Sequence, residues 1–257
     1  MAQHATVEAL IVGGGHAGLL LGTALAHAGI GVGLIERQPQ EAIAEAPADG
    51  RTLALLAGSV AIVRRVGAWR RVAPVAEPIG RVEVSDVDGG GQVHYDSAAH
   101  GKGPFGVGVE QTMLRKALLQ AFVDHAGPQA YLRDEVATLR RERDATMLTL
   151  ASGRRIGAPL VVGADGRASR IRELARIAVD RWAYDQRALT MVLRHESPHG
   201  GMAANTAASA ARSTQVMPVR RPGRGRVASG PPRRSHSRTM PPWGHSCRST
   251  MVRARWS

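Results

Sequence analysis

The feature that most constrains this chain is the run Glu8-Ala-Leu-Ile-Val12 leading at once into Gly13-Gly-Gly15-His-Ala-Gly18. A short apolar run of this kind suits a central parallel strand, buried on both faces. Residues 19–28 then read as a helix that stops at Gly29, and residues 30–35 as a second strand with Glu36 at its end. The glycine spacing has physical content. Gly13 permits a tight turn out of the strand, Gly15 lets the backbone approach a pyrophosphate, and Gly18 lets the helix pack closely on the strand. Phosphates would meet the helix N-terminus, where free N–H groups and the dipole favour negative charge. Glu36 stands 23 residues beyond Gly13, where a carboxylate accepts hydrogen bonds from ribose hydroxyls and repels a 2′-phosphate. The element predicts dinucleotide binding in an α/β fold. By itself it does not separate FAD from NAD.

The same region needs a membrane check, because the 27 residues from Ala9 to Ile35 carry no charge. That length could span a bilayer. Eight glycines interrupt it, however, with His16 and His27 inside, and glycine is costly in a helix interior. The opening Met1-Ala-Gln-His-Ala-Thr lacks the basic segment of a secretory signal. Strand, turn, helix and strand is the better fit.

Charge divides the chain in two. The formal balance is +13, yet residues 1–200 hold 23 basic and all 21 acidic side chains, a net of +2. The other +11 is 11 arginines within residues 201–257, which have no Lys, Asp or Glu. That stretch also has no Leu, Ile, Phe or Tyr, a composition that cannot offset its ordering entropy by burial. It is therefore expected to be a disordered basic tail. The single cysteine, Cys247, cannot make an intrachain disulfide, so nothing points to an oxidising compartment. The histidines show no metal-ligand spacing, and Ser169 lacks a nucleophile-elbow context, so neither a metal site nor a catalytic nucleophile is expected.

A second strand-to-helix signal lies at Leu160-Val-Val-Gly163-Ala-Asp165-Gly166-Arg-Ala-Ser169-Arg-Ile-Arg172. Asp165-Gly166 makes a sharp turn, and Ser169 can cap the helix that Arg170 begins. With the first fingerprint, this segment resembles the flavoprotein aromatic hydroxylases of the para-hydroxybenzoate hydroxylase-like class, which pair Gly-x-Gly-x-x-Gly with Gly-x-Asp-Gly-x-x-Ser-x-x-Arg. Three further segments narrow the resemblance. These are Asp49-Gly-Arg51-Thr-Leu-Ala-Leu55, Val109-Glu-Gln111-Thr-Met-Leu-Arg115, and the run from Gln186 through Val192-Leu-Arg-His195-Glu-Ser-Pro198-His199-Gly. They are similar to the ubiquinone-biosynthesis hydroxylases, the 2-octaprenyl-6-methoxyphenol hydroxylase-like group.

The resemblance covers about residues 5–203. It implies an FAD-binding Rossmann-like parallel sheet with helices over residues 1–180, with inserted strands near 78–98. A β-sheet substrate domain would begin at 181–203 and remain incomplete, and the basic tail would occupy 204–257. It implies FAD as cofactor, NAD(P)H as co-substrate, O₂ as oxidant and a prenylated phenol or quinone precursor as substrate. Gly13, Gly15, Gly18 and Glu36 would bind FAD. Arg51 would lie near the isoalloxazine, Gln111 and Arg115 near the pyrophosphate, and Asp165 on the cofactor side, with Arg172 beside it. The cofactor carries the chemistry, so no catalytic acid, base or nucleophile is named. A cytoplasmic location with peripheral contact to the inner membrane follows from the substrate class.

The family pattern stops near residues 200–206, inside an expected strand, and Lys supplies only 2 of the 34 basic residues, as GC-rich coding would give. The expectation is that the reading frame changes there and that the tail is translated out of frame, leaving an inactive fragment. Two other readings stay open: an NAD- or FAD-binding oxidoreductase of another class, and a non-catalytic protein whose tail binds polyanions. Nucleic acid is not the expected partner.

Overall fold

The computed structural model describes residues 5–86, 91–101, 103–190, 202–208, 212–216 and 246–254. The elements run β1 (Ala5–Thr6), β2 (Ala9–Val12), α1 (His16–His27), β3 (Val32–Glu36), α2 (Gln40–Ala44), β4 (Thr52–Leu56), α3 (Ala57–Arg65) and α4 (Trp69–Val72). They continue with β5 (Glu77–Ile79), β6 (Arg81–Asp86), β7 (Gln92–Asp96), β8 (Gly106–Glu110), α5 (Gln111–Ala126), β9 (Tyr131–Arg133), β10 (Val136–Arg141), β11 (Thr146–Leu150) and β12 (Arg155–Ala158). The last are β13 (Leu160–Gly163), α6 (Arg170–Leu174), β14 (Val179–Thr190), β15 (Met202–Ala208), β16 (Arg212–Val216) and β17 (Ser246–Ala254).

The centre is a parallel sheet in the order β13-β2-β3-β9. Successive side chains of a strand point to opposite faces, and β2 uses both. Ala9 and Ile11 face α1 and α5, where Leu19, Leu118 and Phe122 are fully or almost fully buried. Leu10 and Val12 face the antiparallel strands β10–β12, packing with Leu148, Ile156 and Ile171. This double burial is why 9–12 reads as an unbroken apolar run. Each large side chain so enclosed contributes about 1.5–3 kcal/mol. Gly22 lets α1 approach α5, since a Cβ there would lie 3.0 Å from the Phe122 ring.

Helix α1 starts at His16, three residues before the sequence-based start, because extended Gly15 (φ −78°, ψ −177°) is its N-cap. Ser169 caps α6 as expected, accepting from the Arg172 N–H. Strand β4 pairs with β8 and β8 with β5, all antiparallel. Strands β6 and β7 join a six-stranded sheet of order β17-β14-β16-β15-β6-β7.

Only part of the expected basic tail over 204–257 lies among the described residues. Residues 204–208, 212–216 and 246–254 are strands of that sheet. Ladder pairing satisfies backbone groups and needs no apolar side chain, so composition alone does not forbid it. Residues 217–245 lie outside the described residues, as do 191–201, where most of the run from Gln186 to Gly200 falls.

Candidate cofactor-binding site

Strand β13 pairs with β2 in parallel, Gly163 opposite Val12, so the turns that follow the two strands lie side by side. The Ala164 N–H donates to the Val12 carbonyl at 2.7 Å. Gly13, with φ +111°, packs so closely on this second turn that a Cβ would fall 2.4 Å from the Ala164 carbonyl oxygen. Two motifs separated by 150 residues thus form one surface at the carboxyl ends of adjacent strands, the place where open α/β sheets bind ligands.

The glycines of the first turn do different work. A Cβ on Gly18 would sit 1.9 Å from the Gly13 carbonyl oxygen, so this residue holds the helix against the strand exit. A Cβ on Gly15 would meet nothing within 4 Å and would project into a cleft of about 610 Å³. Helix α1 has no side-chain cap and no acid in its first turn, and its N-cap residue Gly15 lines that cleft. Gly14, which spacing did not single out, lets Glu36 come close: a Cβ there would be 2.9 Å from Glu36 Cγ.

The Gly14 N–H donates to Glu36 Oε2 at 2.7 Å, and the Gln38 N–H donates to Oε1 at 3.1 Å. Arg115, near the start of α5, donates from Nε to the Gly14 carbonyl at 2.8 Å and from NH1 to Gln38 Oε1 at 2.7 Å. Its NH2 stands 3.8 Å from Glu36 Oε2. Arg115 therefore braces the glycine turn as well as lining the cleft. The Tyr131 hydroxyl donates to the Gln38 carbonyl at 2.7 Å, and its pKa is raised by burial and by the nearby Glu36 charge. Gln38 and Tyr131 were not legible as site residues, since neither belongs to a spaced motif.

Asp165 lines the cleft, but both of its oxygens are committed. Oδ1 accepts from the Ser169 hydroxyl at 2.5 Å, and Oδ2 accepts from the Arg170 and Ile171 N–H groups at 2.6 and 3.1 Å. Arg172 donates to the Arg167 carbonyl at 2.7 Å. The 163–172 segment is thus a self-braced turn that shapes the cleft wall. Asp134, Glu135 and Val136 form another wall. Burial would raise the Asp134 pKa, but hydrogen bonds from Ser152 and from backbone N–H groups outweigh it and hold the carboxyl below its usual range.

The cleft gathers Gly13, Gly15, Glu36, Arg115 and Asp165. Arg51 and Gln111 lie outside its lining, in a neighbouring cluster around Asp49, tied to the first turn by His16 Nε2 and the Gln111 carbonyl at 2.8 Å. A second cavity of about 420 Å³ opens at the amino ends of the strands beside Gly31 and Ile156 and contains no motif residue. Among the described residues there is no group of three or more His, Cys, Asp or Glu able to hold a metal, and no helix long and apolar enough to cross a membrane.

A dinucleotide fits what is present: a helix start without side-chain capping, a glycine whose Cβ would fill the cradle, and a carboxylate at the second strand's end. The chain is 35% identical over 198 residues to ubiquinone hydroxylase UbiL of Rhodospirillum rubrum, covering 76% of this chain and 46% of the relative. It is 33% identical over 195 residues to 3-demethoxyubiquinol 3-hydroxylase of Escherichia coli, covering 75% and 50%. The chain thus spans about half the length of these curated relatives. In fold it is similar to the tetrameric form of 2-methyl-3-hydroxypyridine-5-carboxylic acid oxygenase, with a TM-score of 0.65, 20% identity, and coverage of 84% and 56%. The FAD binding domain family matches residues 6–247, so nearly the whole sequence takes part, and this chain belongs to that family.

Proposed function

We propose that this chain is the FAD-binding portion of an aromatic-ring hydroxylase acting on a prenylated phenol or quinone precursor, with NAD(P)H as reductant. The observation that carries it is the joining of the 13–18 and 163–166 turns around one cleft at the ends of β2 and β13. The names of the similar proteins, both hydroxylases of ubiquinones or their precursors, support the substrate class. FAD, when bound, supplies the redox and oxygen chemistry.

The chain's own residues bind and orient. The start of α1 would face the pyrophosphate, with Gly15 leaving room for close approach. Glu36 would accept from ribose hydroxyls while the Gly14 and Gln38 N–H groups hold its carboxylate still. Arg115 would keep the glycine turn in place, and Asp165 would fix the opposite wall through α6. The substrate would be shielded by the sheet that β6, β7 and β14 begin. A prenylated substrate partitions into lipid, so the protein would work in the cytoplasm in peripheral contact with the inner membrane.

The test is FAD titration of the purified chain by fluorescence quenching, followed by NADH and NADPH oxidation with a short-chain prenylphenol. Saturable binding with 1:1 stoichiometry is expected. A chain that binds NAD but no flavin would overturn the proposal.

A further inference from the structure

Asp49 belongs to no spaced motif of the dinucleotide fingerprint, yet it collects more donors than any carboxylate lining the cleft except Asp134. Its Oδ1 accepts from the Arg51 N–H at 3.0 Å. Its Oδ2 accepts from Arg51 Nε at 2.8 Å, Arg51 NH2 at 2.6 Å and Gln111 Nε2 at 2.6 Å. Arg51 and Gln111 are brought together by the β4–β8 ladder, whose pairing of Thr52 with Glu110 ends just before them. The Gln111 N–H donates to the Arg51 carbonyl at 2.9 Å. The Gln111 carbonyl takes a hydrogen bond from His16 Nε2, so the ring must carry its proton on that nitrogen. Gln111 is thus the point where the first turn of α1, the 49–51 turn and the start of α5 are tied together, and Asp49 holds its side chain.

We propose that Asp49 is a positioning residue that fixes the orientation of the Gln111 amide and compensates the Arg51 charge beside the flavin site, a role that rests on the reading of this chain as an FAD binder. An ionised carboxylate only accepts, so Gln111 can face it only with its NH₂ group. The Gln111 carbonyl oxygen is thereby turned away from Asp49 and is offered as an acceptor. An acceptor suits a ligand hydroxyl or N–H and repels a phosphate oxygen. Gln111 then addresses a polyhydroxyl chain or ring N–H of the flavin half, in place of the pyrophosphate role that resemblance implies. Burial would raise the Asp49 pKa, but the hydrogen bonds from Arg51 and Gln111 and the Arg51 charge outweigh it, so Asp49 stays ionised at neutral pH. Arg51 keeps NH1 free of Asp49, on a side chain 64% exposed.

The test uses the full chain with D49N, Q111E and the D49N/Q111E pair, read in two ways. In the flavin-free protein, the side-chain amide resonances of Gln111 should shift as Asp49 titrates in acid, at a pH below the ordinary carboxylate range. In D49N that shift should vanish, since the introduced amide can donate to the Gln111 carbonyl and let the group turn over. FAD titration should show up to about a tenfold weaker Kd in D49N, the size of one lost hydrogen bond between neutral groups. The double substitution exchanges amide and carboxylate, keeping the net charge beside Arg51 and an outward acceptor at position 111. It should recover most of the affinity. A pH-independent Gln111 signal in the parent, or a D49N that loses folding stability and FAD affinity in proportion with no rescue, would overturn the positioning role. Failure of the parent chain to bind FAD would instead overturn the functional reading, with the flavin-free titration still deciding whether Asp49 orients Gln111.

Discussion

Gly15 and Gly18 are three residues apart in one turn, yet the structure separates their roles, and Gly→Ala substitutions should show it. In Gly18→Ala the new Cβ would lie 1.9 Å from the Gly13 carbonyl oxygen, a backbone atom that no side-chain rotation can move. Reaching ordinary contact requires the helix start and the strand exit to separate by roughly 1.5 Å. Overpacking of this kind costs about 1–3 kcal/mol, offset by up to about 1 kcal/mol from the better helix propensity of alanine. A net loss of about 1–2 kcal/mol is expected. Gly15 has an extended conformation open to any residue and no neighbour within 4 Å of a Cβ. There the reduced entropy of the unfolded chain, about 0.4–1 kcal/mol, is offset by the poorer N-cap preference of alanine, so stability should stay within about 0.5 kcal/mol. The methyl would nevertheless stand where a phosphate must approach the first N–H groups of α1. Losing one charge-assisted hydrogen bond costs about 1.5–3 kcal/mol, so FAD affinity should fall at least about tenfold. Urea unfolding of the flavin-free chain and fluorescence titration with FAD read the two effects separately. If Gly15→Ala destabilises the flavin-free chain as much as Gly18→Ala, or leaves FAD affinity unchanged, the assignment of Gly15 to the phosphate approach is wrong.

Arg115→Lys keeps the charge but cannot span the Gly14 carbonyl and Gln38 Oε1 together, so about 1–2 kcal/mol of stability should be lost in urea unfolding. Asp165→Asn and Ser169→Ala should each lower stability by about 1 kcal/mol through weaker capping of α6, measured as the shift in urea midpoint. The Asp134 pKa lies below the ordinary carboxylate value in the folded chain, so its contribution is complete above that value and is lost as pH falls through the folded pKa. Acid unfolding of Asp134→Asn should accordingly be shallower than that of the parent, as followed by circular dichroism. The expected frame change near residues 200–206 is checked on the gene: another frame should continue the hydroxylase pattern with a Gly-Pro-Leu-Ala-Leu-Leu-Pro-like segment, and its absence from both would refute it.

Local chemistry was legible in the residues because it is set by spacing. The strand, turn and helix of 8–28 were visible because an apolar run, three spaced glycines and a stop at Gly29 are all short-range signals. The Ser169 cap was visible for the same reason. Gly14 was hidden inside a run of three glycines, and only the approach of Glu36, 22 residues away, gives it a purpose. Gln38 was hidden because a single polar residue in a loop has no periodicity to betray it, and Asp49, though within a quoted segment, carried no role until its partners were placed.

The sequence by itself determined that a phosphate-binding strand–turn–helix unit begins the fold, and which glycine would turn, which would yield space and which would pack. Only the tertiary structure decided that β13 lies against β2, so that Ala164 closes on Gly13 and two distant turns make one cleft. It also decided that Asp165 spends its oxygens on α6, and that Arg51 and Gln111 answer to Asp49. The physical reason is range: glycine conformations and capping act within a few residues, whereas a carboxylate's partners are settled by which strands become neighbours.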